Sequence, residues 1–154
     1  AILTGKEKHQ NVTINKQYTF VKHFRESEFR YRFFPITVGE YLRKNANPES
    51  EFFNKIYEIG WIHKKTNVNR LPGNPRKLIS LYSVLSKTNN IVFDLIAQDW
   101  QGMEQAAKIV KDEIGNTGSA ILMDRSDVLK NFSTQYIRIK CLIDLEEDEK
   151  IIQF

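Results

Sequence analysis

Alternating apolar and polar residues near the N-terminus predict two strands. Residues 12–20 follow a period of two, which is typical of a half-buried β-strand. Residues 29–33 alternate aromatic side chains with Arg30 and Arg32. In a strand, this alternation would place the rings on one face and the guanidinium groups on the other. Because the polar segment 25–28 can form a turn between them, we predict an antiparallel N-terminal β-hairpin.

Two short helices are predicted after this hairpin. Thr37 followed by Glu40 forms a capping box, and the helix that it starts is expected to end near Asn45. The Asn-Pro step at residues 47–48 predicts a second helix start. Gly60 is a suitable C-terminal stop for that second helix. The two elements predict a short helical pair.

The C-terminal half predicts a ββαββ unit. Residues 77–85 and 91–97 are rich in β-formers and are separated by a polar loop that suits a hairpin. Asp99 can cap a following helix, whose apolar residues recur at steps of three and four. Residues 120–123 form a short apolar run, and residues 136–145 alternate strictly, so both are predicted strands.

These elements predict an α+β fold with mainly antiparallel sheets. The order is an N-terminal β-hairpin, a short helical pair and a C-terminal ββαββ unit. The length of 154 residues and the hydrophobic fraction of 41% suit one domain spanning residues 1–154. Within it, residues 1–60 hold the hairpin and helices, residues 77–154 hold the ββαββ unit, and a basic loop, residues 61–76, joins them.

The cysteine content and the lengths of the apolar runs indicate where the protein is located in the cell. A single cysteine, Cys141, leaves no internal disulfide framework and is typical of a reducing compartment, so we expect a cytoplasmic protein. No apolar run approaches the length of a membrane span, and no apolar segment typical of a secretory signal follows the N-terminus. We therefore expect no membrane attachment.

The sequence carries no recognisable catalytic or cofactor motif. Gly-x-Ser-x-Gly, His-Glu-x-x-His and Gly-x-x-x-x-Gly-Lys-Ser/Thr are all missing. The three histidines are scattered: His9, His23 and His63. Carboxylates are the remaining candidates for a divalent metal site: Asp94, Asp99, Asp124 and Asp127. Since each suits a strand, cap or turn, we expect no metal and no cofactor, and a binding protein in preference to an enzyme.

Charge is unevenly distributed along the chain. Residues 1–80 carry 15 Lys/Arg and 7 Asp/Glu, whereas residues 81–154 carry 8 and 12. Between Glu58 and Asp94 there is no carboxylate. Such polarity favours an anionic partner, although attraction between the two halves within one fold explains it equally well.

The acid-free basic stretch predicts a surface that binds nucleic acid largely independently of sequence. Lys and Arg would neutralise phosphates, and Trp61 would stack on an exposed base. The predicted site comprises Arg30, Arg32, Trp61, Lys64, Lys65, Arg70, Arg76 and Lys77. The structural alternatives are that the rings of residues 29–33 fill the core with their arginines in solvent, and that Trp61 is an apolar plug behind Gly60.

The alternative function is that of a structural or assembly module. A two-strand, helix, two-strand unit with an acidic end resembles, in architecture only, units used by phage and secretion structural proteins. In a homo-oligomer, the basic loop of one subunit would meet the acidic segment 146–149 of the next.

Overall fold

The computed structural model describes residues 2–8, 10, 13–115, 117–124 and 129–138. These residues form five α-helices and one three-stranded sheet. The helices are α1 (Glu28–Phe33), α2 (Val38–Asn45), α3 (Phe52–Lys55), α4 (Gly73–Leu85) and α5 (Trp100–Ile114). The strands are β1 (Thr19–Phe20), β2 (Asn90–Phe93) and β3 (Ser119–Leu122). Single 3₁₀ turns lie at Ile2–Thr4, Ile56–Glu58, Val68–Arg70 and Lys130–Phe132.

The sheet is entirely parallel, so the predicted antiparallel arrangement is wrong. Its strand order is β1-β2-β3, with Thr19 opposite Ile91 and Ile91 opposite Ala120. Parallel neighbours need a crossover that returns the chain to the starting end of the sheet. Helices α1 to α4 lie between β1 and β2, and α5 lies between β2 and β3, so the helices supply these crossovers.

The largest error in the predicted elements concerns residues 77–85, which form most of helix α4 instead of a central strand. Apolar residues on both faces of a strand pattern also suit a helix that is buried nearly all round. Leu78, Leu81 and Leu85 are buried at helical spacing, and Ile79 is buried beside them. Pro75 fits because the first turn of a helix leaves its N–H groups free.

The predicted N-terminal hairpin is also wrong. Only Thr19 and Phe20 of the first strand pair in the sheet, and residues 11 and 12 lie outside the described residues. Segment 29–33 belongs to helix α1, whose cap is Ser27; the Ser27 hydroxyl accepts a hydrogen bond from the Arg30 N–H at 3.4 Å. The aromatic–arginine alternation is therefore wrapped around a helix, which places its rings on an exposed surface without the two-faced separation of a strand.

Local capping signals are confirmed. At the start of α2, the Thr37 hydroxyl accepts from the Glu40 N–H at 3.3 Å, and the Glu40 carboxylate accepts from the Thr37 N–H at 2.9 Å. Asp99 caps α5 by accepting from the Gly102 N–H at 2.8 Å. The predicted second helix of the pair is present as the short α3 followed by a 3₁₀ turn, but its predicted start at the Asn-Pro step of residues 47–48 is wrong, because α3 begins at Phe52 without a side-chain cap.

One hydrophobic core connects the sheet to the helices and reaches from Val21 to Leu129. Fully buried side chains on α2, α4 and β2, such as Leu42, Ile79 and Ile91, form its centre. Most of the predicted strand 136–145 and all of the acidic segment 146–149 lie outside the described residues. Among the residues that are described, no helix is long and apolar enough to cross a membrane.

Candidate functional site

The predicted basic loop is a packed segment. Ile62, Val68 and Leu71 are buried and anchor it to the core. Its backbone also bonds to the start of α2, because the Lys64 carbonyl accepts from the Gly39 N–H at 2.9 Å. The basic side chains are thus carried on a backbone that the core holds in place.

A groove of about 370 Å³ lies where this segment meets α2. Its wall is formed by Thr37, Gly39, Arg43, Phe53, Tyr57, Lys64 and Lys65. Two cations come from the basic segment and the third, Arg43, comes from the last turn of α2. Burial raises the pKa of the Tyr57 hydroxyl, and the nearby Arg43 charge opposes that rise. The groove therefore combines three cations with two aromatic walls.

Arg43 was not among the predicted residues. It precedes the acid-free stretch in the sequence, and only the fold brings it beside Lys64 and Lys65. All three of these side chains belong to exposed residues. Their charges are therefore available to an external anion.

Lys77, in contrast, is buried and is withdrawn from the predicted surface. Only 3% of the residue is exposed, and its ammonium lies 2.9 Å from the Asp94 carboxylate. Burial lowers the pKa of Lys77, and the hydrogen bond and charge of Asp94 oppose this shift. Its placement favours a structural ion pair over a phosphate contact.

Arg76 is also committed to the protein's own backbone. Its guanidinium donates to the Asn69 carbonyl at 2.7 Å and to the Leu71 carbonyl at 2.7 and 3.1 Å. These bonds close the turn between the basic segment and α4. Arg76 therefore stabilises the backbone of the basic segment and has less of its hydrogen-bonding capacity left for a phosphate.

The other predicted residues are more accessible. Arg32 and Arg70 are exposed, and Trp61 is 52% exposed, which does not fit an apolar plug behind Gly60. Arg30 is half-buried, and its guanidinium lies 3.7 Å from the Glu26 carboxylate.

Glu26 is a connecting residue that the sequence did not reveal. Its side chain is almost wholly buried and accepts hydrogen bonds from the Ile36 N–H at 2.7 Å and from the Asn69 amide. Together with its ion pair to Arg30, these contacts tie α1 to the start of α2 and to the basic segment. Because its neighbours in the sequence are polar turn residues, no local signal marks Glu26 as buried.

Asp94 follows the central strand β2, at the carboxyl end of the parallel sheet. Its Oδ1 atom receives Lys77 Nζ at 2.9 Å, His23 Nε2 at 2.7 Å and the Ile96 N–H at 3.2 Å. Burial alone would raise the pKa of Asp94, but the hydrogen bonds and charges of Lys77 and His23 outweigh it and lower the pKa. Ligands of open α/β sheets bind at this end of the strands.

The two other candidate metal carboxylates that the structure describes, Asp99 and Asp124, do not join Asp94 in a metal-binding group. Asp99 caps α5 and Asp124 has contacts of its own, whereas Asp127 lies outside the described residues. Within the described part of the chain, no group of three or more His, Cys, Asp or Glu side chains could hold a metal ion.

Comparison with known proteins adds no relative. No family model matches the chain, and neither the curated proteins nor the solved structures give a significant match.

Proposed function

We propose that the protein binds nucleic acid through phosphate contacts, largely independently of base sequence. The observation that carries this proposal is the convergence of Arg43, Lys64 and Lys65 on one groove. Cations held on a fixed backbone neutralise phosphates without reading bases. The aromatic walls, Phe53 and Tyr57, suit the sugar and base that accompany a phosphate.

The structure modifies the set of residues that we assign to this surface. Arg43 joins it, whereas Lys77 and Arg76 have internal partners. Arg30 is half-buried and its guanidinium lies 3.7 Å from the Glu26 carboxylate, so its charge is partly neutralised. The exposed cations Arg32 and Arg70, and Trp61, remain part of the proposed surface.

A fluorescence-anisotropy titration with single- and double-stranded oligonucleotides at several salt concentrations tests the proposal. Replacing Arg43, Lys64 and Lys65 by Ala should weaken binding and reduce the log–log salt slope by about 2 to 3, since each phosphate contact contributes roughly 0.7 to 0.9. The matched control replaces Lys87, Lys108 and Lys111, which are exposed and lie outside the groove. No binding at low salt, or equal effects of both variants, would reject the proposal.

A second candidate rests on the ion pair at the end of β2. In one large class of nucleotide-hydrolysing α/β proteins, an aspartate holds Mg²⁺ beside the phosphates. Asp94 stands at the ligand-binding end of the sheet, but the Lys77 ammonium takes the place of a cation. A buried ammonium at this position favours a structural role for the Asp94 carboxylate, and with it the alternative of a non-catalytic structural subunit. In the described part of the chain, β3 pairs on one side only, so its other edge can accept a neighbouring strand.

Two measurements test this second candidate. Native mass spectrometry at low and high salt should show an assembly of several copies, and a monomer under both conditions would reject assembly. Calorimetric titration with MgCl₂ alone should show no binding to the Asp94 carboxylate, because Lys77 neutralises it. Binding of Mg²⁺ that is lost in Asp94→Asn would show that the carboxylate is open to a metal ion.

A further inference from the structure

Helix α1 and the residue after it expose four large aromatic side chains. The exposed fractions are 65% for Phe29, 62% for Tyr31, 57% for Phe33 and 68% for Phe34. Single exposed apolar residues are ordinary on protein surfaces, but a contiguous group of this kind marks a binding surface. We name these four residues together with Arg30 and Arg32 the aromatic–arginine cluster.

Three rings of this cluster, those of Phe29, Phe33 and Phe34, lie close together without stacking face to face. The Phe29 ring centroid is 5.2 Å from that of Phe33 and 6.3 Å from that of Phe34, with interplanar angles of 46° and 48°. The Arg32 guanidinium lies 5.9 Å from the Phe33 ring centroid. Aromatic faces and cations are thus mixed on one small surface.

The charge around this cluster favours an anionic ligand. Lys22, Arg25 and Arg32 are exposed, and Arg30 is half-buried. Glu28 in the first turn of α1 is an exposed carboxylate, whereas Glu26 offers little opposing charge to solvent because its side chain is only 3% exposed, so cations remain in excess around the cluster. An apolar surface crossed by cations is complementary to a ligand that presents flat apolar faces beside negative charge.

We propose that the aromatic–arginine cluster stacks on unpaired bases and selects single-stranded over double-stranded nucleic acid, an inference that rests on the proposed function. Base faces are free to stack on aromatic side chains in a single strand, whereas pairing and stacking occupy them in a duplex. Phosphates are present in both forms, so the groove binds both. Selectivity therefore resides in α1, and general affinity resides in the groove.

The test compares variants in anisotropy titrations with oligo-dT and with a mixed-sequence duplex of equal length. Replacing Phe29 and Phe34 together by Leu keeps the apolar surface but removes two aromatic faces. We expect this variant to lose about tenfold in single-strand affinity, in line with alanine substitutions of stacking residues. Duplex affinity should change less than twofold, and the salt slope for oligo-dT should stay the same.

Two controls separate stacking from other effects. Trp100→Leu removes a half-exposed aromatic from α5 and should leave both affinities unchanged. The variant lacking Arg43, Lys64 and Lys65 should lose affinity for both ligands together with part of the salt slope. Circular dichroism and thermal unfolding verify that each variant is folded.

Several results would overturn this inference. Equal parental affinity for oligo-dT and duplex would reject it while leaving the proposed function in place, and absence of binding to either would reject both. An unchanged oligo-dT affinity in the leucine variant would show that the rings do not stack. If the parent instead self-associates or binds anionic vesicles through α1, with no preference for single strands, the cluster would be assigned to a second copy or to lipid.

Discussion

Lys77 of α4 and Asp94 after β2 form a buried ion pair, with 2.9 Å between Nζ and Oδ1. The pair links the crossover helix to the carboxyl end of the central strand. Lys77 Nζ also lies 3.5 Å from the Val21 carbonyl just beyond β1, so one ammonium contacts the ends of two strands. The geometry explains how a lysine is accommodated among the mostly apolar buried residues of α4.

Removal of Lys77 should destabilise the fold severely. Lys77→Ala leaves a buried carboxylate without its buried lysine partner, which costs about 3–5 kcal/mol in the free energy of unfolding. Urea denaturation followed by circular dichroism measures this loss. The control is Lys87→Ala, which changes an exposed lysine and should shift the free energy by less than about 0.5 kcal/mol. Equal effects of the two substitutions would contradict the ion-pair interpretation.

The protein should lose stability in acid. The pKa values of Asp94 and Asp99 are both lowered in the folded state from an ordinary value of 3.8, Asp99 by hydrogen bonds from the Gly102 N–H and the Asn74 amide. As the pH falls, the two carboxylates take up protons in the unfolded chain before they do so in the folded protein. The stabilisation that the ionised carboxylates give to the fold is therefore complete above pH 3.8 and lost below it. Thermal unfolding between about pH 5 and pH 2 should show a falling midpoint, with a shallower fall in Asp99→Asn. A midpoint independent of pH would refute this assignment.

Signals contained within a few neighbouring residues predicted local structure well. Thr37 with Glu40, and Asp99, were correctly identified as helix starts because the bonding partners lie three residues apart. Strand direction depends on how distant segments pair, which no local pattern contains. Segment 77–85 was misassigned for a related reason, since burial of both faces suits either a central strand or a covered helix.

The candidate site was predictable only in part. The exposed positions of Lys64 and Lys65 agree with the acid-free stretch in which they lie. The burial of Lys77 depends on a partner 17 residues away, and Arg43 joins the groove through packing of α2 against the basic segment. The distribution of charged residues along the sequence therefore predicted a basic region. Which of its cations are exposed to solvent depends on tertiary packing.

Gly73 should not tolerate a methyl group. A Cβ at this position would lie 2.1 Å from the Ala97 carbonyl oxygen, a backbone atom. Ala97 already has φ of 63°, so its loop has little freedom to move away. Although Ala usually stabilises a helix relative to Gly, we expect Gly73→Ala to reduce the free energy of unfolding by about 1–3 kcal/mol.

The matched substitution for that experiment is Gly60→Ala, because a Cβ added at Gly60 would meet no atom within 4 Å beyond its chain neighbours. It should alter the free energy of unfolding by less than about 0.5 kcal/mol. Chemical denaturation of both variants under the same conditions gives the comparison. A Gly73→Ala protein as stable as the parent would mean that α4 and the Ala97 loop are not in close contact.

Loss of the Glu26 carboxylate should loosen α1 and lower overall stability. Glu26→Ala leaves the Ile36 N–H and the Asn69 amide without their acceptor and removes the partner of Arg30. Unsatisfied buried donors cost about 1–3 kcal/mol each, so a decrease of at least about 2 kcal/mol in the free energy of unfolding is expected. The control, Glu104→Ala, removes an exposed carboxylate from α5 and should change stability little.

Hydrogen exchange provides a second measurement, because the Ile36 amide should lose protection in Glu26→Ala while the buried amides of β2 keep theirs. Unchanged exchange at Ile36 would show that Glu26 does not hold α1 against the start of α2.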